Sequence, residues 1–220
     1  MADQVAPQVE YSESVPGAPL EVVLRTEELQ ERPTRPPNRE LERSALDSLT
    51  RHLETSPQTI LKALADTMLS VFRCDSAGVS LINDHTKRFE WPAIAGVWGP
   101  HVGGGTPRSF GPCGDVVDHN MPLLFKSLQN RYTYFKLVAP VQEALLVPFH
   151  LSGKTIGTIW AVTHEPPNNT NSSGRATGGQ FDREDLRMLE SLGHFAARAY
   201  EVWNNLEDHS TRPSDPARGD

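Results

Sequence analysis

The sequence predicts an α+β domain with a central antiparallel sheet, and three observations carry the prediction. Apolar residues recur at three- and four-residue steps towards both ends of the chain and at two-residue steps between them. The strand-like runs follow one another directly, without the alternating helices that a parallel sheet requires. Prolines crowd the ends, six in residues 1–40 and two in 207–220. Those ends read as tails and residues 41–206 as the folded body.

Residues 1–40 mix Pro, Glu, Arg and Ser with few aromatics, a composition that buries too little apolar surface to offset the entropy of ordering. They read as a disordered or loosely docked tail, in which Leu20-Glu21-Val22-Val23-Leu24 is apolar enough to dock. From Leu41 helical spacing puts Leu46, Leu49 and Leu53 on one face. Ser56-Pro57 pairs a cap with a first-turn proline, and Ile60, Leu64, Met68 and Val71 continue a second helix. After Cys74-Asp75, Ala77–Ile82 reads as a strand and Phe89–Ala95 as its hairpin partner.

Residues 98–121 are broken by Gly-Pro, Gly-Gly-Gly-Thr-Pro and Gly-Pro-Cys-Gly, leaving room for one short helix at Asp115–His119. Irregular segments of this length are uncommon unless they bind or cover something, so this one reads as a lid. Strands follow at 122–126, 144–151 and 154–164, the last two joined by a tight turn at Ser152-Gly153. Residues 166–180 form a polar loop. Asp182 then caps a final helix with a stripe of Leu186, Leu189, Leu192, Ala196, Ala199, Trp203 and Leu206.

The net charge of −7 is carried mainly by the tails, −4 in residues 1–40 and −2 in 207–220, leaving the body at −1. No basic stripe is available to neutralise a row of phosphates, so neither nucleic acid nor an anionic membrane surface is an expected partner. No apolar run is long enough to cross a bilayer, and the first residues lack the basic start and apolar stretch of a secretory signal. Two cysteines, Cys74 and Cys113, suit a reducing compartment. A cytoplasmic location is expected.

Leu146-Val147-Pro148-Phe149, Gly153 through Trp160, and Phe181 through Leu189 resemble the C-terminal half of a GAF domain. Cys74 through Ser80 and the aromatic run Phe89-Glu90-Trp91 resemble its front half, so the likeness covers residues 41–206. The stretch Gly105 to Gly114, with Arg108, Phe110 and Cys113, is similar to that of GAF modules that accompany bacterial sensor histidine kinases. The resemblance implies helices on one sheet face and a lid-covered ligand pocket on the other. It also implies a role in bacterial signal transduction, in a two-component system, with a histidine kinase or a transcription regulator as partner. It names no cofactor and no ligand, since GAF domains take cyclic nucleotides, bilins, haem or amino-acid derivatives.

The residues narrow these chemistries unevenly. Phytochrome-like GAF domains follow the bilin-bearing Cys with a His, whereas Cys113 precedes Gly114 and His119 comes later. Methionine sulfoxide reduction needs a second thiol to resolve the sulfenic acid, and Cys74 sits outside the lid. The signature of cyclic-nucleotide-binding members is not found in order. Gly103-Gly104-Gly105-Thr106 lacks the Lys-Ser/Thr ending of a phosphate loop. Eight histidines show no metal-ligand spacing, so no metal is expected. Arg108 could fork to a carboxylate or phosphate, or pair with Asp115 or Asp118. Cys113, at the mouth of the helix expected at Asp115, is expected to have a lowered pKa, and Cys74 to be core.

Candidate ligand-binding residues are therefore Trp91, Trp98, His101, Arg108, Phe110, Cys113, His119, Tyr132 and Trp160. Alternation puts Leu145, Val147 and Phe149 on one face with Ala144, Leu146 and His150 on the other, and Ile156, Thr158, Trp160 and Val162 opposite Gly157, Ile159 and Ala161. It does not say which face carries the lid. The functional expectation is a non-catalytic sensory module that binds a small molecule and acts on a separate output protein. A thiol enzyme using Cys113, of the methionine-sulfoxide-reductase kind, is the alternative. Trp203 and Leu206 with Leu46, Leu49 and Leu53 are expected to pair across a twofold axis as a homodimer.

Overall fold

Alternating short apolar runs close into one sheet in the computed structural model, which describes residues 17–52, 56–132, 135, 140–165 and 180–210, with side chains as far as Val202. Among the described residues six antiparallel strands lie in the order β3-β2-β1-β6-β5-β4. These are β1 (Ser76–Asn83), β2 (Arg88–Gly96), β3 (Gly105–Pro107), β4 (Leu123–Lys126), β5 (Val141–Leu151) and β6 (Lys154–His164). Strand β6 turns directly back from β5 through Ser152 (φ 48°) and Gly153 (φ 78°), both in the left-handed region that a two-residue hairpin demands.

Helices α3 (Arg39–Thr50), α4 (Pro57–Phe72) and α6 (Arg183–Ser210) cover one face. Asn38 caps α3 by accepting from Leu41 N, and Ser56 caps α4 by accepting from Thr59 N (3.2 Å) ahead of Pro57. Helix α6 opens with a reciprocal box. Asp182 Oδ1 accepts from Asp185 N (3.0 Å), and Asp182 N donates to Asp185 Oδ2 (2.9 Å). The expected stripe holds where side chains are described, with Leu189, Leu192 and Ala196 fully buried against Ile60, Leu64 and Met68 of α4 and Ile159 of β6. Leu53 and the side chains of Trp203 and Leu206 lie outside the described residues.

Parity sorts the sheet. Ala77, Val79, Leu145, Val147, Phe149, Ile159 and Ala161 face the helices, while Ala144, Leu146, Trp160 and Val162 face the lid. Ile156 departs from its strand's alternation and packs with the helix-side core, near the register shift at Phe149/His150.

The segment before α3, read as a tail, forms a strap over residues 17–38. It contains α1 (Leu20–Val23) and α2 (Glu28–Glu31). Val23 is buried in the lid-side core and Leu29 in the helix-side core, so the strap rounds the open edge of β4 between them. At the turning point Leu24 bridges Phe125, Arg25 N donates to Leu124 O (2.7 Å), and Leu124 N donates to Thr26 Oγ1 (3.0 Å). The outward backbone groups of Leu124 on β4 are thereby satisfied. Beyond it, Arg32 pairs with the buried Glu143 of β5, and Arg35 with Asp182 and Asp185 at the start of α6.

The lid is more ordered than its glycines and prolines suggest. β3 pairs with β2, and α5 (Pro112–His119) starts three residues before the expected Asp115, because Pro112 takes the first helical position after Gly111. Gly105 has a steric reason to be there, since a Cβ on it would fall 2.1 Å from Phe89 O. Residues 166–179 of the expected polar loop lie outside the described residues.

Candidate functional site

The floor of the site is the lid-side face of the sheet. Ser76, Gly78 and Ser80 of β1 put small side chains there, and Trp160 of β6, the partner of Gly78 in register, lies across the gap. A Cβ at Gly78 would stand 2.5 Å from Trp160 Cζ2 and 2.7 Å from Ala93 O, so only glycine admits the indole in this place. Trp160 Nε1 then donates to Ser80 Oγ (3.0 Å), and Cys113 Sγ, coming down from α5, donates to the same oxygen (3.5 Å). Ile94, Ala144, Leu146 and Val162 complete the floor.

The roof is hung from Trp98 and from α5. Trp98 N donates to Ser76 Oγ (3.1 Å), and its ring meets Trp160 (5.6 Å between centroids), Phe135 (5.3 Å) and His164 (4.8 Å). On the other side the Tyr132 hydroxyl donates to the Asp115 carboxylate of α5. Burial, and then that carboxylate, push the tyrosine pKa up. Ala18 N donates to Asn130 O (3.0 Å) and Arg131 Nη1 to Ala18 O (3.2 Å), so the strap also holds the turn beneath the roof.

Floor and roof border a half-open cavity of about 60 Å³ with a mostly aromatic and aliphatic wall. One buried polar atom at this face, Trp98 Nε1, has no hydrogen-bond partner among the described residues, while Thr158 lies beside the Cys113 thiol. Thr158 is the cross-strand partner of Ser80.

A sequence profile of the GAF domain matches residues 54–201, two thirds of the chain. The chain belongs to the GAF domain family. Solved GAF structures agree with the fold. The GAF domain of an Acinetobacter phosphoenolpyruvate-protein phosphotransferase shares 15% identity over 80% of this chain and 96% of its own, with a TM-score of 0.59. Free methionine-R-sulfoxide reductase from Neisseria meningitidis, solved with its substrate, shares 16% over 80% of this chain and 98% of its own, also at 0.59. The phycoerythrobilin-bound GAF domain of a cyanobacterial phytochrome shares 12% over 76% and 98%, at 0.56. At such identities the likeness is one of fold. No match is found among curated protein sequences.

Six of the nine candidate residues line this GAF cavity: Trp91, Trp98, His101, Phe110, Cys113 and Trp160. Three do not. Arg108 pairs with Asp118 (2.6 Å) on the exposed outside of the lid, one of its two expected arrangements. His119 ends α5, with Nδ1 2.7 Å from Asp115 O, and is exposed. Tyr132 anchors the roof from behind. Tyr134 lies outside the described residues. Among the described residues no three His, Cys, Asp or Glu side chains gather as metal ligands, and no helix is long and apolar enough to cross a membrane.

The thiol expectation needs correction. Cys113 is the second residue of α5, yet burial raises its pKa against the weaker opposing bond from Ser80. Removal from water outweighs the dipole of an eight-residue helix. Cys74 is core as expected, on the helix side of the sheet. Sequence reasoning passed over Ser80, Thr106, Phe135 and the supporting Ser76. The available signal was Ser76-x-Gly78-x-Ser80, three small or polar residues on one face of an otherwise apolar strand.

Proposed function

We propose that this GAF domain is a non-catalytic sensory module whose lid-covered cavity takes a small molecule. The observation that carries this reading is the aromatic-walled cavity with a single thiol beside it, whose pKa burial raises. The cavity offers about 60 Å³ and the lid residues Trp98, Phe110 and Cys113 line it, so an occupant bears directly on the lid. Occupancy is thereby coupled to the lid. Contacts run from the roof turn at Asn130 and Arg131 to Ala18, along the strap, and through Arg32 and Arg35 to the start of α6. That is a physical route by which the lid biases α6 and a separate output protein, of the histidine kinase or transcription regulator kind, in bacterial signalling. We further propose that the readout is a homodimer through the terminal helices. Light scattering near 24.4 kDa would reject it.

The alternative, a thiol-based reductase, draws support from the likeness to methionine-R-sulfoxide reductase. It asks Cys113 to be a thiolate and to find a resolving partner. Burial opposes the first, and the chain's other thiol, Cys74, lies in the core across the sheet. Mass spectrometry of what co-purifies from native solution tests the sensor reading, with a bound small molecule as the expected result. Turnover of free methionine sulfoxide that disappears in Cys113→Ser would overturn it.

A further inference from the structure

Resting on that reading of the cavity, we infer that its ligand is a planar, non-cationic molecule that presents a hydrogen-bond acceptor to Trp98. Trp91, Trp98, Phe110, Phe135 and Trp160 give the wall several ring faces, which suit a flat ligand and would by themselves suit an organic cation equally well. The polar atoms break that tie. Trp98 is 9% exposed, and its indole N–H has no partner among the described residues. An indole nitrogen can only donate, so the group that satisfies it must accept. Ser80 adds a second donor. Its oxygen already receives Trp160 Nε1 and the Cys113 thiol, which leaves its own hydrogen to give. A cation placed here would face the positive ends of two dipoles and leave both unsatisfied. A hydrocarbon would leave them unsatisfied without the repulsion. A carbonyl or ring nitrogen in the plane of a flat ligand pairs with one of them and keeps the stacking.

Three probes of one shape separate these cases: benzene, pyridine at mildly alkaline pH where it is neutral, and N-methylpyridinium. Binding to the full chain is followed by the indole N–H signals of ¹⁵N-labelled tryptophan, with Trp98→Phe identifying the Trp98 signal and keeping a ring in the wall. Pyridine is expected to bind about tenfold more tightly than benzene, the worth of one hydrogen bond to an otherwise unpaired buried donor. It should move the Trp98 signal downfield, and N-methylpyridinium should bind most weakly. In Trp98→Phe the preference of pyridine over benzene should vanish while benzene still binds. Equal binding of pyridine and benzene, or tightest binding of N-methylpyridinium, overturns the ligand class and leaves the cavity reading standing. Saturable binding by none of the three overturns the ligand class, and an empty mass spectrum beside it overturns the sensor reading too. Should Trp98→Phe fail to fold, the wild-type comparison decides alone.

Discussion

Arg32 and Glu143, 111 residues apart in sequence, form a buried ion pair (Nη2 to Oε1, 2.6 Å) that also captures both backbone polar groups of Phe181. Phe181 N donates to Glu143 Oε2 (2.8 Å), and Arg32 Nη1 donates to Phe181 O (2.7 Å). The strap, a central strand and the entry to α6 thus meet at one polar knot inside the helix-side core.

The knot gives an unusual double-mutant expectation. Arg32→Ala leaves Glu143, at 1% exposure, with only the longer Lys126 contact (3.8 Å) to balance its charge, which should cost about 3 kcal/mol. A pair of apolar replacements, Arg32→Met with Glu143→Leu, would be near neutral for an ordinary buried pair. Here it should still cost about 1–3 kcal/mol, because Phe181 loses the two bonds that Glu143 and Arg32 make to its N–H and C=O. Urea unfolding of the two variants measures the difference, and a double variant as stable as wild type would contradict the assignment.

Removal of residues 1–38 should damage the domain although the family match begins only at residue 54. Val23 and Leu29 are 0% and 1% exposed, worth about 1.5–3 kcal/mol each, and the edge of β4 would be uncovered. Against a total of about 5–15 kcal/mol this is a large share. Calorimetry should find the shortened chain melting well below the full chain, or aggregating.

Acid stability has a clear contributor in Glu42. Hydrogen bonds from Arg187 lead in holding its pKa down at about 2, from an ordinary 4.5. A depressed folded-state pKa means that the stabilisation is complete above about pH 4.5 and is lost as pH falls through about 2. Allowing for solvent screening at this partly open site, Glu42→Gln should cost about 1 kcal/mol at neutral pH and nothing near pH 2. Denaturant midpoints along a pH series would show the two curves converging in acid; parallel curves would refute the role.

Gly78→Ala should cost about 1–3 kcal/mol, since the new methyl meets Trp160 and the carbonyl of Ala93 at once. The Ala93 oxygen cannot yield easily, so the indole should shift, with a changed tryptophan emission as the sign. Unchanged emission and stability would mean that the indole does not lie against β1.

Much of this fold could be read from residue order. The period of two in β5 and β6 correctly grouped Leu145, Val147 and Phe149 on one face and Trp160 with Val162 on the other. It could not choose the lid face, because that depends on where α4 and α6 dock. Ser56-Pro57 marked a helix start for local reasons, and local reasons survive folding. Arg32 gave no signal, because its meaning comes from Glu143 on a strand far along the chain. Strand β3 was missed since three residues spelled Gly-Thr-Pro resemble a turn until Phe89 is seen beside them. For the site, Trp91, Trp98 and Trp160 were found by size and placement, but the protonation of Cys113 was misjudged because desolvation is a property of the packed lid.

The two cysteines, one at each face of the sheet, amount to two clocks that run on different motions. Cys113 is partly exposed beside the cavity, where it donates to Ser80, whereas Cys74, held between α4 and β1 in the helix-side core, waits for that core to come apart. The rate at which an uncharged alkylating agent modifies Cys113 therefore reports access through the cavity, and the rate at Cys74 counts larger unfolding events, in the same tube and with no label added beforehand. A molecule that occupies the cavity should slow the first clock and leave the second nearly untouched, whereas an additive that merely stabilises the whole chain should slow both.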